Sequence, residues 1–215
     1  MSETKRTARL FGICYALALI FWVVFCLGRC AVMLAHRAGG DMPQTTLTAA
    51  DLTFESFECY LDLEWDTPPD DDPNWYLSTD NDPHILYDGG GYIETVRLYA
   101  EHRLPPGSVA LYYLLPGQTD YSEAQKVYAR VTGAGEYTFD LGGRRVSGLR
   151  IDPDSVGGVP TLFHGIELNP ATPWYDRFVP DGGQWLLLLF GPALAAAAAG
   201  LVQAVLRREQ SGPEV

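Results

Sequence analysis

Hydrophobic and polar positions along this chain follow two rhythms. Leu10–Leu27 (LFGICYALALIFWVVFCL) and Leu186–Leu206 (LLLLFGPALAAAAAGLVQAVL) are almost unbroken apolar runs. Each is long enough to cross a bilayer core, which takes roughly 20 apolar residues at about 1.5 Å rise apiece. Between them the pattern changes to period two. Phe57, Cys59, Leu61, Leu63 and Trp65 alternate with Glu58, Tyr60, Asp62 and Glu64. Val127, Ala129 and Val131 alternate with Lys126, Tyr128 and Arg130, and Tyr137, Phe139 and Leu141 alternate with Glu136, Thr138 and Asp140. Such alternation marks strands with one buried face. Val109–Leu115 (VALYYLL) is apolar throughout, as a strand covered on both faces would be.

Further strands are expected at Leu47–Phe54, Trp75–Ser78, Ile85–Tyr87, Tyr92–Ala100, Val146–Asp152 and Thr161–Leu168. Turn-setting clusters punctuate them: DTPPDDDP, DGGG, LPPG, LPGQTD, TGAG, LGG and DPDSVGGVP. No stretch of this region keeps a helical period. Eight to ten short strands with regular turns predict an all-β antiparallel sandwich, jelly-roll-like, flanked by two transmembrane α-helices. The expected organisation is a tail at 1–9, a first span with its juxtamembrane end at 10–35, a sandwich at 41–180, a second span at 185–206 and a tail at 207–215.

Charge then assigns sides. Lys5, Arg6 and Arg9 precede the first span and Arg207 and Arg208 follow the second, against Arg29, Arg37 and Arg177 on the inner flanks. By the positive-inside rule both termini are expected in the cytoplasm and the central domain outside the cell membrane. Residues 38–183 hold 24 Asp and Glu against 8 Lys and Arg, a net of −16. That field repels nucleic acid and anionic headgroups, so nucleic acid is excluded as a partner. The N-terminal run exceeds the usual core of a cleaved signal, so an uncleaved anchor is expected. The charged tail after the second span argues against a lipid-anchor signal. Cys14, Cys26 and Cys30 belong to the first span or its edge, and Cys59 stands by itself in the outer domain, where it reads as a small buried hydrophobe.

With the strands placed, several segments have a familiar look. They are NWYLSTDNDPHIL, YIETVRLYAE, ALYYLLPGQTDYSEAQKVYARV, GEYTFDL, LRIDPD and TLFHGIELN, from Trp75 to Asn169. Together they resemble a galactose-binding-like, carbohydrate-module-like jelly roll of bacterial surface-polysaccharide and membrane-associated glycosyltransferase proteins. The pieces that carry the likeness are the Trp75-to-Pro83 strand and turn, Tyr112-Tyr113, Tyr121-Ser122-Glu123 and the Leu149–Pro153 strand end. The resemblance implies a sugar-binding sandwich beside polysaccharide-assembly machinery. It covers a little under half of the chain. The chain departs from a transferase in having neither a catalytic domain nor a many-span membrane body.

Three chemistries compete for the outer domain. A glycan site needs an aromatic platform and hydrogen-bonding side chains, and Trp65, Asp66, Trp75, Tyr76, Asp80, Asn81, Asp82, His84 and Tyr87 supply that mixture. The structural alternative is that Trp65 and Trp75 complete the core. Structural calcium could be held by Asp70, Asp71, Asp72, Asp152 and Asp154, since calcium takes six to eight oxygens from flexible loops. Against that, Asp-Pro and Asp-Gly clusters form turns by their own backbone hydrogen bonds, and no cofactor is otherwise expected. His36, His84, His102 and His164 are too scattered for a zinc site. Paired carboxylates can cleave glycosides, but 24 acids always include a pair, and no nucleophile, phosphate-loop or metalloprotease motif is present.

In the second span Gly191, Ala195 and Ala199 recur at intervals of four, the spacing that lets helices approach closely in lipid. The first span or another membrane protein could fill that face. Trp174, Tyr175 and Trp185 read as an interfacial aromatic belt. The leading reading is a two-pass, non-enzymatic membrane protein whose outer sandwich recognises or positions a cell-envelope glycan. The alternatives are a structural subunit of a larger membrane complex, or an enzyme acting on envelope glycans.

Overall fold

The computed structural model describes residues 3–60 and 70–210. The chain divides into two compact units, Met33–Ala171 and a second made of Met1–Val32 with Thr172–Val215.

The second unit contains two long helices, α1 (Glu3–Ala38) up to Val32 and α2 (Gly182–Gln210). Both are long and apolar enough to cross a membrane, with most of their large side chains facing outward. Their seam runs through Cys14, Ala18, Trp22 and Cys26 on α1, and through Leu188, Pro192, Ala196 and Gly200 on α2. These positions recur at intervals of four, so they form one face of each helix. Tyr15 donates a hydrogen bond to the Leu189 carbonyl at 2.6 Å, one residue from the carbonyl that Pro192 leaves without its helical donor.

The small-residue face is turned relative to the sequence expectation. Ala196 is 1% exposed, whereas Ala195 is exposed and, with Gly191, lines an open apolar groove of about 580 Å³ opposite Phe21, Trp22 and Phe25. Ala199 is half-buried. From Ala195 to Gly200 every residue is small, so composition cannot select one face. Position relative to Pro192 does, since Pro192 and Ala196 share the buried stripe.

Met33–Ala171 is a two-sheet antiparallel sandwich, as the alternation predicts. Its strands are β1 (Thr45–Leu47), β2 (Thr53–Glu55), β3 (Phe57–Cys59), β4 (Trp75–Ser78), β5 (His84–Tyr87), β6 (Gly91–His102), β7 (Ala110–Leu114), β8 (Lys126–Tyr128), β9 (Arg130–Gly133), β10 (Glu136–Val146), β11 (Gly148–Asp152) and β12 (Pro160–Leu168). Among the described residues one sheet has the order β3-β4-β12-β6-β10-β9, with β1 also on β12. The other has the order β2-β5-β11-β7-β8. The inner faces meet in one core. Val96, Leu98, Phe139, Leu141, Phe163 and Ile166 come from the larger sheet, and Ile85, Leu111, Tyr113, Leu149 and Ile151 from the smaller.

Two expected strands are each broken in two. Leu47–Phe54 divides into β1 and β2 around a short 3-10 turn at Ala49–Asp51, where Asp51 closes a capping box with Thr48. Lys126–Val131 divides at Ala129 into β8 and β9. In each case the chain passes from one sheet to the other. The phase changes at the first break, since Leu47 faces the core in β1 and Leu52 and Phe54 do so after it. At the second break Val127 and Ala129 pack on the core, whereas Val131, expected on the same buried face, is exposed in β9. The crossing from β2 to β3 is made at Ser56, whose φ of 60° lies in the left-handed region that non-glycine residues rarely adopt.

The two chain ends of this unit meet at one end of the sandwich. His36 stacks on Tyr92 with centroids 4.0 Å apart, and Arg37 reaches the Pro170 carbonyl and the buried Glu94. Asn169 ties this end together. Its Oδ1 accepts from the Glu94 amide at 2.8 Å, and its Nδ2 donates to the carbonyls of Pro43 and Tyr92. Its own φ is 54°, which asparagine tolerates better than most residues. The functional candidates lie at the opposite end.

Candidate functional site

The end away from the chain ends is formed by Ser56, the β4–β5 turn at residues 79–83, and the ends of β11 and β12. Asp80 organises this end. Its carboxylate accepts from the Asp82 amide at 2.8 Å and from the Ser56 hydroxyl at 2.9 Å. Those bonds, the backbone one first, hold its pKa below the ordinary carboxylate value. Gly157 is required beside it: a Cβ there would lie 2.6 Å from the Asp80 carbonyl oxygen, and its φ is +72°.

Antiparallel register sets the side chains on the outer face of the smaller sheet. Leu86, Arg150, Tyr112 and Lys126 form one row across four strands. Asp152, Ala110 and Tyr128 form the next row, at the end carrying the β4–β5 turn. Arg150 is the centre. It donates from Nε and Nη2 to both oxygens of Asp152, at 2.7 and 2.9 Å, and from Nη2 to Asp82 Oδ1 at 2.6 Å. This two-point grip is the strong form of guanidinium–carboxylate pairing. The guanidinium carbon lies 4.9 Å from the Tyr112 ring centroid, and Lys126 Nζ lies 4.9 Å from the same centroid. Burial opposes the charge of Arg150, but its bonds to Asp152 and the Asp82 charge prevail and raise its pKa. Tyr112 donates to Glu123 at 2.8 Å, and that bond is the first cause of the lowered Glu123 pKa.

Two features of this array are unsatisfied. Arg150 Nη1 has no protein partner among the described residues, and it is not among the buried unpaired atoms. Asp82 is 65% exposed, and its Oδ2 faces His84 Nε2 at 3.6 Å. His84 Nδ1 faces Asp152 Oδ1 at 3.5 Å. Asp82, His84 and Asp152 are a group whose ligand atoms lie close enough to hold a metal ion. The geometry nevertheless suits a guanidinium better. Arg150 already occupies both acids.

The sequence candidates separate accordingly. Asp80, Asn81, Asp82 and His84 gather at this end. Trp75 does not offer a platform: it is 4% exposed, packs on Tyr60 and donates from Nε1 to Asp70 at 2.8 Å. Tyr76 points to the other side of β4, stacked on Phe54 at 4.4 Å, and burial raises its hydroxyl pKa. Tyr87 packs against the core, with its ring where a side chain at Gly89 would stand. Trp65 and Asp66 lie outside the described residues.

The calcium candidates stand in different settings. Asp70 and Asp72 close turns on the amides of Asp72 and Asn74, Asp71 is exposed, and Asp152 is held by Arg150. Asp154 is 1% exposed. Its Oδ1 accepts from the Val156 and Gly157 amides, and its Oδ2 is a buried atom without a partner.

Arg150, Tyr112, Lys126 and Tyr128 were not among the sequence candidates. Their signal was present in the strand phase, because Arg150 stands between the core residues Leu149 and Ile151. Tyr112 was hidden by the uniformly apolar run, whose outer side is covered by Arg150 and Lys126 rather than by another layer.

No protein-family model matches the sequence, and no curated protein matches it. Solved structures do resemble it. One is a low-affinity xylan-binding module from Roseburia intestinalis, at 13% identity and a TM-score of 0.38, covering 59% of this chain and 95% of that one. Another is a fucose-binding module from Streptococcus pneumoniae, at 10% identity and a TM-score of 0.37, covering 61% and 95%. Discoidin II of Dictyostelium discoideum is similar at 13% identity and a TM-score of 0.33, covering 64% and 59%.

Proposed function

We propose that Met33–Ala171 is a glycan-recognition domain, carried on the cell membrane by its flanking helices and facing the outside. The observation that supports this is the Arg150 array. A fixed guanidinium with a nitrogen to spare lies beside an exposed carboxylate, so a donor and an acceptor are offered side by side. Neighbouring sugar hydroxyls, each both donor and acceptor, match that pair. Tyr128, 63% exposed at the edge of the same face, supplies an apolar ring for the C–H face of a sugar. The assigned role is binding rather than turnover, as an accessory that recognises or positions an envelope polysaccharide.

The test is binding of the full chain, in nanodiscs, to an array of envelope polysaccharides and oligosaccharides. Arg150→Met should abolish binding and Tyr128→Ala should weaken it about tenfold, both with a cooperative melt retained. Arg145→Ala, at the other end of the sandwich, should leave binding unchanged. Binding that survives Arg150→Met would remove the site. A second reading has the helix pair docking on another membrane protein through the groove beside Gly191 and Ala195. Ala195→Leu should then reduce co-purification of that protein without altering glycan binding.

A further inference from the structure

We infer that Asp82 is a charge-selecting residue, which restricts the Arg150 site to uncharged sugar rings and excludes uronates and other acidic glycans. The inference rests on the glycan-binding reading above and names the ligand class within it.

A single guanidinium normally attracts anions, and an exposed Arg nitrogen is a common anchor for carboxylates and phosphates. Here that attraction is cancelled within the array. Asp152 grips Arg150 from one side with both oxygens, and Asp82 takes the other proton of Nη2. Two carboxylates on one guanidinium leave a net charge of −1 before any neighbour is counted. The neighbours are acidic as well. Asp80 is bonded to the Asp82 amide, and Glu55 stands opposite His84 in the register of β2 and β5. At physiological ionic strength charges within about 8 Å act on one another with little screening. Lys126, the next cation on the face, is paired with Glu123 at 3.4 Å.

The two carboxylates have different standing. Asp152 is 12% exposed and doubly bonded to the guanidinium, so it fixes the position of Arg150. Asp82 is 65% exposed and bonded to it once. Asp82 therefore contributes little to holding Arg150 in place, while it contributes one of the two charges that deter an anion. It also leaves Oδ2 as an acceptor for a ligand hydroxyl. A ring bearing hydroxyl groups can use both Nη1 and Asp82, whereas a ring bearing a carboxylate meets Asp82 as a like charge.

The experiment uses the full chain in nanodiscs and matched pairs of gluco-, galacto- and manno-oligosaccharides. One member of each pair is neutral and the other is oxidised at C6 to the uronate. For every neutral glycan that binds, the wild-type chain should bind the uronate at least tenfold more weakly. Asp82→Asn removes one charge and keeps the size and an oxygen toward Nη2, with an amide NH2 that a sugar hydroxyl can accept from in place of Oδ2, and it should bring that ratio to threefold or less. Lowering the salt concentration should widen the wild-type ratio and not that of Asp82→Asn. Equal binding of neutral and oxidised partners by the wild type, or a ratio unchanged in Asp82→Asn, would overturn the inference and leave glycan binding standing. Failure of the wild type to bind any glycan of the panel or of the envelope array would overturn both.

Discussion

The two outer faces of the sandwich carry the same constellation, and only one of them is open. On the larger sheet Arg97 pairs with Glu136 at 3.0 Å and donates to Tyr99, whose hydroxyl in turn donates to Glu167 at 2.9 Å. On the smaller sheet Arg150 pairs with Asp152 and Asp82 above Tyr112. Arg97 Nη2 and Arg150 Nη1 are each without a protein partner among the described residues, and Arg97 Nε faces Glu136 as an ion pair without a hydrogen bond, so a spare donor does not by itself distinguish the arrays. The acceptors do. Glu136 and Glu167 are 27% and 24% exposed, and each accepts a further bond, from Thr132 and from Tyr99. Asp82 is 65% exposed and receives one bond, from Arg150. Residue type alone does not mark a site; an exposed acceptor with capacity left beside a fixed donor does.

Both arrays stand on one core, and the largest expected effect removes them together. Leu141 is 2% exposed among the core residues, whereas Asp140 faces outward and accepts from the Gly142 amide. Leu141→Asp should cost several kcal/mol or abolish folding, because it buries a charge without a partner. Asp140→Asn should be nearly silent. A melt of the full chain in detergent that loses the sandwich transition only for Leu141→Asp sets the ceiling for every effect on a single face.

The next effect separates the outer faces from what lies beneath them. His102 is on the opposite side of β6 from Arg97, with Nδ1 2.8 Å from the Thr161 hydroxyl, and burial lowers its pKa to about 4. The folded chain thus favours neutral His102, while the unfolded chain protonates it near the usual value of about 6.5. Stability is fully present above pH 6.5 and falls as the pH drops, by about 3 kcal/mol at pH 4. His102→Gln should flatten denaturant midpoints over that interval. An unchanged slope would place acid sensitivity in the carboxylate arrays instead.

Arg97→Met should destabilise by about 2 kcal/mol, between the values for exposed and fully buried pairs, since Glu136 and Glu167 would be left facing one another. Ligand binding should be unaffected. Arg150→Met should cost no more than this and yet abolish binding. Loss of binding in Arg97→Met, at equal residual stability, would make the larger sheet the ligand face.

Much of this arrangement was legible in the sequence. Period two marked the inner faces of β3, β8 and β10, though not that of β9, where Val131 is exposed. Asp80, Asn81, Asp82 and His84 were recognisable as one turn bearing polar chemistry. Trp75 and Tyr76 were not placed correctly by type. Strand phase puts them on opposite sides of β4, and each side proved to have an apolar cover, Tyr60 for one and Phe54 for the other. Arg150 was visible as an outward residue, but its meaning depends on register. The row that joins it to Tyr112 exists only once β11 pairs with β7, which brings residues 150 and 112 together from 38 positions apart. In α2 the small residues were legible and their buried stripe was not, because neighbouring alanines differ only in angle about the helix.

The smallest expected effect bears most directly on the contrast between the faces. Asp82→Asn removes a charge that is 65% exposed and leaves Arg150 gripped by both oxygens of Asp152. Exposed pairs contribute between zero and about 1 kcal/mol, and the asparagine keeps an oxygen toward Nη2. The stability change should therefore be below about 0.5 kcal/mol. Glu136→Gln, made at a carboxylate that is 27% exposed, ion-paired with Arg97 and hydrogen-bonded by Thr132, should cost about 1–2 kcal/mol. Denaturant midpoints of the two variants at neutral pH measure the difference. If Asp82→Asn costs as much as Glu136→Gln, the Asp82 carboxylate is a structural member like its counterparts on the larger sheet. The Arg150 array would then be closed as well, and the exposure that sets the two faces apart would have no energetic meaning.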